Sequence, residues 1–432
     1  MLSSSLAGSL QRRGVHYGWI VVAVTFLTML VTAGAVGAPG VFIVPLQREF
    51  GWDTGEISSA LAIRLALFGL LGPFAAAFMN RFGVRRMVLI ALGIVTTGLL
   101  ASLGMSKIWH LVLLWGVVVG IGTGLTAMVL GATVATRWFS ERRGLVVGLL
   151  SASSATGQLV FLPLLATLTE RFGWRMSLGL TCGGLLLAVA AVLLLMRDRP
   201  AELGLPPYGD KDVAPAPATP GGLGELIVAP LRILAEAART GTFWVLFGTF
   251  FICGASTNGL IQTHFIALCG DYSMAAVGAA GILAMMGLFD LFGTVGSGWL
   301  SDRYDNRWLL FWYYGLRGLS LLYLPFSDFT FYGLSLFAVF YGLDWLATVP
   351  PTVRLVADRF GRERANVVFG WIFAGHQLGA AAAAFGAGLT RSAYSTYLPA
   401  FFAAGVLCLI AAALALTIGK SGAHPEPSPA SA

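Results

Sequence analysis

The sequence predicts an all-α membrane protein with twelve transmembrane helices in two six-helix repeats, and three observations carry this prediction. First, 57% of the 432 residues are hydrophobic and only 11% are charged, whereas soluble globular proteins carry about 25% charged residues. Second, apolar runs of about 18 or more residues recur along the chain, and each is long enough to cross a bilayer as a helix. Third, short basic loops of the first half recur in the second half.

The predicted spans divide the positive charge unequally between the two faces of the membrane. The twelve spans cover residues 17–44, 55–79, 86–105, 109–136, 143–168, 174–196, 242–267, 276–300, 307–326, 328–354, 364–390 and 395–418. An even number of spans leaves both termini on one side, where the loops and tails hold 20 of the 27 lysines and arginines against five on the other side. Because cytoplasmic loops are enriched in lysine and arginine, both termini are expected to be cytoplasmic.

A linker divides the chain into two bundles. Residues 197–241 hold no apolar span, and their first part is rich in Pro, Ala and Gly, which predicts an irregular cytoplasmic linker. The segment GELIVAPLRILAEAART within it predicts an amphipathic helix at the membrane surface. The predicted domains are therefore a first bundle at 1–196, this linker, a second bundle at 242–420 and a short cytoplasmic tail at 421–432.

Two loop sequences occur once in each half. NRFGVRR at 80–86 follows span two, and SDRYDNR at 301–307 follows span eight. RWFSERRG at 137–144 follows span four, and RFGRERAN at 359–366 follows span ten at nearly the same offset. Two six-helix repeats joined by a cytoplasmic linker are typical of transporters that bind their substrate where the repeats meet.

The residues exclude several other classes of protein. The formal charge of +7 lies in short loops between apolar runs, so it indicates membrane orientation rather than nucleic-acid binding. The first apolar run is too long for the core of a signal peptide. The sequence holds no zinc-protease, paired-cysteine or nucleophile motif, so neither catalysis nor a metal or other cofactor is expected. Four cysteines far apart in apolar runs are expected to be small buried hydrophobic residues: Cys182, Cys253, Cys269 and Cys408.

At its repeated loops the chain resembles the major facilitator superfamily, over essentially its whole length. That family's signature is a loop G-x-x-x-D-R-x-G-x-R/K-R/K after spans two and eight. The second-half copy keeps Gly298, Asp302 and Arg303, whereas the first-half copy has Ala76 and Asn80 in place of the glycine and the acid. The first-half copy keeps four other positions: Arg81, Gly83, Arg85 and Arg86. The resemblance implies that both loops belong to a cytoplasmic gate.

Within that superfamily the chain is most similar to the monocarboxylate and oxalate transporter branch. HYGWIVVAVTF resembles the opening of that branch's first span, and RWFSERRGLVVGLLSASSATGQLVFLP resembles its loop into a fifth span rich in small residues. Span eight keeps the branch's acid, glycine and second acid at Asp290, Gly298 and Asp302. The branch's arginine four residues after the first acid, which contacts carboxylate, is Thr294 here.

The resemblance implies a secondary transporter that moves a small, carboxylate-bearing organic anion across the cell membrane by alternating access, with a proton as the candidate coupling ion. One alternative is an exporter or carrier of a larger neutral or zwitterionic metabolite. Another is a membrane sensor that does not transport. The expected partners are a small-molecule substrate and the lipid bilayer, and a monomer in a bacterial inner membrane is expected.

Three charges lie deep in the spans of the second half, at Asp290, Arg317 and Asp344. At 1.5 Å per residue they lie about 15 to 18 Å from the cytoplasmic turns, near the bilayer midplane. An unpaired charge at that depth is costly, so a mutually compensating cluster is expected. Two interpretations remain open: Arg317 braces an acid and contacts no substrate, or Asp290 or Asp344 exchanges protons or partners during transport.

His376, Gln377 and Gln158 are candidate substrate ligands near mid-depth. The resemblance places span eleven, which carries AGHQLG, on the cavity, and a histidine there can bind an anion and titrate near physiological pH. Gln158 in span five is nearly equivalent to Gln377 in the repeat. The alternatives are a packed histidine bonded to a neighbouring helix and glutamines that only join helices.

Arg64 and Asn258 complete the candidate substrate site. Arg64 lies about 15 Å from the outer end of span two, deep in the first half, so it is a candidate anion ligand. The alternative is that its long side chain reaches outward to Glu56 or Asp53. Asn258 in span seven lies beside glycines, and it is either a substrate ligand or a polar partner for a helix kink.

Overall fold

The computed structural model describes residues 2–37, 39–126, 129–213 and 222–419, and within those ranges the chain is helical. The described residues form no β-strand, and one isolated bridge pairs Phe139 with Tyr208. A backbone inside a bilayer has to satisfy its own hydrogen bonds, and a helix does so within a single segment. The all-α prediction is confirmed.

The described part of the first half holds the helices α1 (Leu2–Arg12), α2 (Gly18–Gly37), α3 (Pro39–Phe50), α4 (Thr54–Phe82), α5 (Val84–Ser102), α6 (Ile108–Leu111), α7 (Val119–Gly124), α8 (Val129–Trp138), α9 (Arg143–Phe172) and α10 (Trp174–Leu195). The described part of the second half holds α11 (Leu223–Ala237), α12 (Gly241–Gly254), α13 (Thr263–Asp271), α14 (Ala276–Ser301), α15 (Asn306–Tyr323), α16 (Phe331–Asp344), α17 (Val349–Phe360), α18 (Arg362–Tyr394) and α19 (Leu398–Ala415). Two π-helical segments join α6 to α7 and α12 to α13: Val112–Val118 and Ala255–Gln262. Two short 3-10 turns follow α10 and α15: Pro200–Leu203 and Leu324–Phe326.

The described helices are those of a multi-pass membrane protein. Nine helical stretches in the described ranges are long and apolar enough to cross a bilayer: Gly18–Phe50, Thr54–Ala75, Val84–Ser102, Trp174–Leu195, Gly241–Asp271, Ala276–Ser301, Phe331–Phe360, Arg364–Tyr394 and Leu398–Ala415. A shorter apolar stretch covers Ile108–Gly124. The other two predicted spans, at 143–168 and 307–326, fall on α9 and α15.

Several spans differ, within the described ranges, from the single regular α-helices that the sequence predicts. The first span continues beyond its predicted end to Phe50, and its described residues lie in the helices Gly18–Gly37 and Pro39–Phe50. Span ten stops at Asp344 and resumes at Val349, directly before two prolines. Proline lacks a backbone N–H and clashes with the preceding turn, so a regular helix does not run through this point. Spans four and seven each contain a π-helical segment, a feature that is frequent at functional sites.

The two halves meet mainly along α4 and α18 and along α9 and α14. Gly69 of α4 faces α18 so closely that a Cβ there would lie 2.4 Å from the Gln377 Cβ. Close approach at small residues is how membrane helices pack without a hydrophobic driving force. Further along the same pair of helices, the rings of Phe74 and Trp371 meet edge to face at 5.7 Å. This pair of helices is called the α4–α18 seam below.

Each half has an arginine at the same position of its signature loop, and this arginine bonds a carbonyl near the end of the last span of that half. A terminal nitrogen of Arg85 donates to the Leu193 carbonyl near the end of α10 at 2.6 Å. A terminal nitrogen of Arg307 donates to the Ile418 carbonyl just beyond α19 at 3.1 Å. The last carbonyls of a helix have no partner within it, and basic side chains commonly supply one. The repeated loops thus hold equivalent positions in the two bundles.

The linker is tied to both halves. The backbone N–H of Tyr208 donates to the Trp138 carbonyl at 2.8 Å, and the Tyr208 ring contacts Phe139. Further along the linker, the helix α11 occupies the predicted amphipathic segment, and it contacts both α4 and α18. There, Trp371 Nε1 donates to the Pro230 carbonyl at 3.0 Å. The linker therefore crosses the α4–α18 seam instead of only tethering the halves.

Candidate functional site

Arg317 of α15 is enclosed in the second half, with an exposed fraction of 1%. Its Nε donates to Asp344 Oδ2 at 2.6 Å, and one terminal nitrogen donates to the Cys253 sulfur at 2.9 Å. The other terminal nitrogen donates to the carbonyl oxygens of Asp344 at 2.5 Å and Trp345 at 3.2 Å. One carboxylate and three neutral acceptors therefore compensate this charge.

The break in span ten gives the arginine its acceptors. α16 ends at Asp344, and the last carbonyls of a helix lack partners within that helix. The Arg317 guanidinium binds two such carbonyls, and a cation at a helix C-terminus is also favoured by the helix dipole. On the other side of the break, Asp290 Oδ1 accepts a hydrogen bond from the Leu346 N–H at 3.0 Å. Arg317 therefore binds two carbonyls at the break in span ten, and Asp290 binds an N–H at the same break.

Asp290 is bonded to a threonine rather than to an arginine. Thr294 Oγ1 donates to Asp290 Oδ1 at 2.9 Å, and no ion pair of Asp290 occurs among the described residues. The ion pair of the predicted cluster is Arg317 with Asp344. The Oδ1 of Asp344 is buried, and no described residue bonds it. The structure thus gathers the three charges around the break and places Arg317 in a bracing position.

His376 of α18 lies between two phenylalanine rings inside the second half. It is 4% exposed, its ring is stacked on Phe373 at 5.6 Å, and the Phe250 ring of α12 lies 5.1 Å away. Its Nδ1 is buried and has no hydrogen-bond partner within the described ranges. The imidazole therefore has an apolar setting and an unsatisfied nitrogen.

Gln377 lies on the α4–α18 seam, and its Oε1 is buried with no partner in the part of the chain that the structure describes. Asn258 is half-buried on the π-helical segment of span seven. The Asn258 carbonyl accepts a bond from Thr263 Oγ1 at 2.8 Å. Gln158 belongs to α9, but its side chain lies outside the described residues. Among the described candidates, Gln377 therefore packs where the two halves meet.

Arg64 of α4 is 6% exposed and lines a small cavity of the first half. A Cβ added to Gly120 would lie 3.0 Å from the Arg64 Cα, so span four packs directly on this turn. No described residue gives the guanidinium a hydrogen bond or an ion pair. The acids considered as its outward partners are bonded elsewhere: Glu56 accepts from the Asp53 N–H at 2.9 Å, and Asp53 accepts from the Ser392 hydroxyl. Outward pairing of Arg64 is thus not observed.

The second-half copy of the signature loop is held by an ion pair. Asp302 forms an ion pair with Arg354 of α17. The Arg303 guanidinium lies over the Trp299 ring, 4.1 Å from its centroid. Gly298 faces open space, since a Cβ there would meet no atom within 4 Å. The end of span eight is therefore joined to the end of span ten.

The first-half copy of the signature loop has an amide where the second-half copy has an acid. Asn80 Oδ1 accepts a hydrogen bond from Arg137 of α8 at 2.8 Å, so the end of span two is joined to the end of span four. Gly83 has a φ of +89°, and a Cβ there would lie 2.5 Å from the Asp198 carboxylate, so this turn requires glycine. The Arg85 N–H donates to the same carboxylate at 2.7 Å. The two remaining residues of this loop lie at the end of α4 and the start of α5: Arg81 and Arg86.

Sequence reasoning missed several buried polar side chains, and His264 and Trp115 are two of them. His264 of α13 is fully buried, and its Nε2 bonds the Ala384 carbonyl of α18 at 2.8 Å. A carbonyl only accepts, so Nε2 carries the proton and the buried Nδ1 is left without a described partner. Trp115 is 2% exposed, and its Nε1–H also has no partner among the described residues. A histidine in an apolar run could have indicated a buried polar group. Tryptophan is common near the ends of spans, so its presence gives no such indication.

Metal-binding groups do not cluster in the described ranges. No set of three or more His, Cys, Asp and Glu side chains there is placed to hold a metal ion. All four cysteines are buried and free, as predicted for small hydrophobic residues. Cys253 has one further role, since its sulfur accepts the hydrogen bond from Arg317.

Comparison with known proteins gives a consistent family. The model of the Major Facilitator Superfamily matches residues 25–384 and 272–432. Monocarboxylate transporter 13 of Rattus norvegicus is 27% identical over 412 residues, which cover 93% of this chain and 89% of the relative. The uncharacterized MFS-type transporter YcxA of Bacillus subtilis is 22% identical over 379 residues, which cover 86% and 88% of the two chains.

Two solved structures share the fold. A bacterial homologue of the human lysosomal transporter Spinster, in an inward-facing and unoccupied conformation, aligns with a TM-score of 0.71 and 17% identity over 92% of this chain and 96% of its own. A D-xylose-proton symporter aligns with a TM-score of 0.67 and 14% identity over 94% and 98%. At these identities the likeness is one of fold.

Proposed function

Because the chain belongs to the major facilitator superfamily and its relatives are transporters rather than enzymes, we propose that it moves a small, carboxylate-bearing organic anion across the cell membrane by alternating access. The observation that carries this proposal is the buried Arg64 guanidinium, to which no described residue supplies a counter-charge. A buried charge without a partner is strongly unfavourable. A carboxylate substrate supplies the missing charge when it binds, whereas a neutral substrate does not. The relatives named monocarboxylate transporters support the same substrate class.

The proposed substrate ligands come from both halves. Arg64 supplies the positive charge, and His376 supplies a ring nitrogen that has no described partner. Gln377 supplies an unsatisfied amide at the α4–α18 seam. Gln158 and Asn258 complete the polar lining and orient the substrate. Contacts from both halves are required because alternating access moves one repeat against the other around a central site.

The proposed coupling network is formed by Asp290, Arg317 and Asp344. Arg317 and Asp290 bind the two sides of the break in span ten, so a change of partner at either residue lets this helix bend. Short interruptions of a helix that absorb a change of backbone angle are the usual hinges of such motions. Asp290, which no described arginine binds, is the proposed proton carrier.

The proposed topology has twelve spans and two cytoplasmic termini. Spans four, five and nine then correspond to α6 through α8, to α9 and to α15, and they add to the nine long apolar stretches. The gate loops face the cytoplasm in this arrangement, as the positive-inside rule requires. The proposed domains keep the predicted limits, with bundles at 1–196 and 242–420 and the linker at 197–241; the tail at 421–432 lies outside the described residues. The proposed form is a monomer in a bacterial inner membrane.

Counterflow of labelled substrate tests the transport proposal. The purified protein is reconstituted in liposomes and loaded with short mono- and dicarboxylates or with their matched amides. A carboxylate is expected to exchange while its amide does not, and Arg64→Met and His376→Ala are expected to abolish exchange. Arg48→Met, at an exposed arginine near the end of α3, is the matched control and keeps the parent rate. Normal counterflow in both site variants would remove this site.

A larger neutral or zwitterionic metabolite is the second candidate substrate. It is favoured by Thr294, which bonds Asp290 at 2.9 Å where the branch has an arginine. The second half therefore offers an acid and a hydroxyl at this point instead of a cation. Exchange of amides or zwitterions at the rate of carboxylates identifies this alternative. Ligand binding in liposomes with no movement of the ligand identifies the sensor.

A further inference from the structure

We propose that Arg64 and Trp115 form an anion subsite inside the first half, which takes one carboxylate oxygen of the substrate or a halide ion of similar size. The inference deepens the proposed function and rests on it, since that function uses Arg64 as an anion ligand. It adds a second donor on a different span. Both side chains line the same cavity, and the N–H groups of both have no partner among the described residues.

The cavity is very small and almost entirely apolar. Its volume is about 10 Å³, which is close to the space of a single water-sized sphere. Phe42 and Leu178 form part of its walls, and no acidic side chain of the described residues lines it. Thr181 also lines it, but its hydroxyl donates to the Ser177 carbonyl at 3.1 Å. Among the described side chains that line this cavity, those of the arginine and the tryptophan thus carry N–H groups without a described partner.

Glycines and a π-helical turn explain how span four brings its tryptophan to this point. A Cβ on Gly116 would lie 3.1 Å from the Ala60 carbonyl oxygen, and one on Gly120 would lie 3.0 Å from the Arg64 Cα. Small residues therefore let span four pack against the backbone of span two. Trp115 lies in the π-helical segment Val112–Val118, whose extra residue per turn rotates the side chains relative to a regular helix. The Phe42 ring lies 5.8 Å from the Trp115 ring and packs against it.

The charge and size of the site decide what occupies it. The described lining of the cavity includes one arginine and one tryptophan and no carboxylate, so the proposed occupant has to accept hydrogen bonds and carry negative charge. A water molecule would satisfy an N–H and leave the charge uncompensated. A cavity of one-atom size admits a single carboxylate oxygen, while the rest of the substrate lies outside it, or else a monatomic halide. Neutral and cationic ligands do not fit this requirement.

Anion-dependent thermal unfolding of the purified full-length protein tests the subsite. Sodium chloride and sodium acetate are the two probes, at constant ionic strength in a bulky sulfonate buffer, because an anion that binds the native state raises the unfolding midpoint. Trp115→Phe keeps the ring and removes the donor, and it is expected to weaken anion binding about tenfold, the loss of one hydrogen bond to a charge. Arg64→Met is expected to abolish binding. Trp109→Phe, at a tryptophan of the same span that is 56% exposed, is expected to bind like the parent.

The two probes separate the sources of the anion. A chloride response that Trp115→Phe weakens identifies a halide site, and an acetate response without competition from chloride identifies the carboxylate oxygen of a substrate. The subsite is overturned if the parent responds to neither probe, or if either Trp115→Phe or Arg64→Met binds as tightly as the parent. Chloride binding that depends on Trp115, in a protein with no carboxylate counterflow, refutes the transport proposal and leaves the subsite. Counterflow with unchanged affinity in Trp115→Phe refutes the subsite alone.

Discussion

Two arginines lie deep within the spans, one in each half, and their surroundings are opposite in kind. Arg317 is bonded to the Asp344 carboxylate, to a cysteine sulfur and to two carbonyls of a broken helix. Arg64 is nearly as buried, at 6% exposure against 1%, yet no described residue bonds it. The two arginines are similarly buried, but the described residues compensate only the charge of Arg317. We expect the compensated charge of Arg317 to stabilise the fold and the uncompensated charge of Arg64 to be available to an anionic ligand.

The largest expected effect is at the compensated arginine. Arg317→Met is expected to lower the free energy of unfolding by about 3 to 5 kcal/mol, because it leaves the Asp344 carboxylate buried without its partner. Thermal unfolding of the purified protein measures the change. The double variant Arg317→Met with Asp344→Leu removes both charges and is expected to recover much of the loss. A single variant as stable as the parent would contradict the bracing role.

The uncompensated arginine is expected to give the reverse pattern. Arg64→Met breaks no described hydrogen bond and removes a desolvated charge, so the unfolding midpoint is expected to stay the same or rise. Binding of a carboxylate is expected to weaken about 100-fold, as when one member of a buried charge pair is truncated. Midpoint and affinity are measured on the same preparation. A large loss of stability with unchanged affinity would make Arg64 a structural residue like Arg317.

A smaller effect is expected at the acid beside the break in span ten. Asp290→Ala leaves the Leu346 N–H without its acceptor and is expected to cost about 1 to 3 kcal/mol of stability. Asp290→Asn keeps an oxygen for this N–H and is expected to cost less than about 1 kcal/mol. Thermal unfolding of the two variants, compared side by side, separates the hydrogen bond from the charge. Equal losses in both would show that the charge itself stabilises the fold.

The smallest effects are expected at the two signature loops, where the second half has the acid Asp302 and the first half has the amide Asn80. Asp302→Asn removes the exposed pair with Arg354 and is expected to cost at most about 1 kcal/mol. Asn80→Asp gives Arg137 a charged partner and is expected to gain a similar amount at low salt. Both changes are measured by thermal unfolding at low and high salt, and both are expected to shrink as salt screens the pairs. Salt-independent effects would point to packing instead.

The family and its branch were predictable from a few residues. The loop motif with Gly298, Asp302 and Arg303 and the opening of span five were enough, and the family match and the relatives named monocarboxylate transporters confirm the resemblance. The partners of Arg317 were not predictable to the same degree. Asp290 and Asp344 lie at nearly the same depth, so sequence position offered both acids equally. The break in span ten distinguishes the two acids. At the break, the carboxylate and the carbonyl of Asp344 bind the Arg317 guanidinium, whereas Asp290 accepts a hydrogen bond from the Leu346 N–H.

The sequence by itself determined that the chain lies in a lipid bilayer, where its helical segments are and that its loops repeat. Hydropathy, charge placement and loop motifs are local properties that can be read along the chain. Only the tertiary structure decided which buried charge is compensated and which donor is left unused. Those outcomes depend on how each helix is rotated and where it is interrupted. A π-helical turn at Trp115 or a proline-induced break after Asp344 changes that rotation without changing the hydropathy of the span.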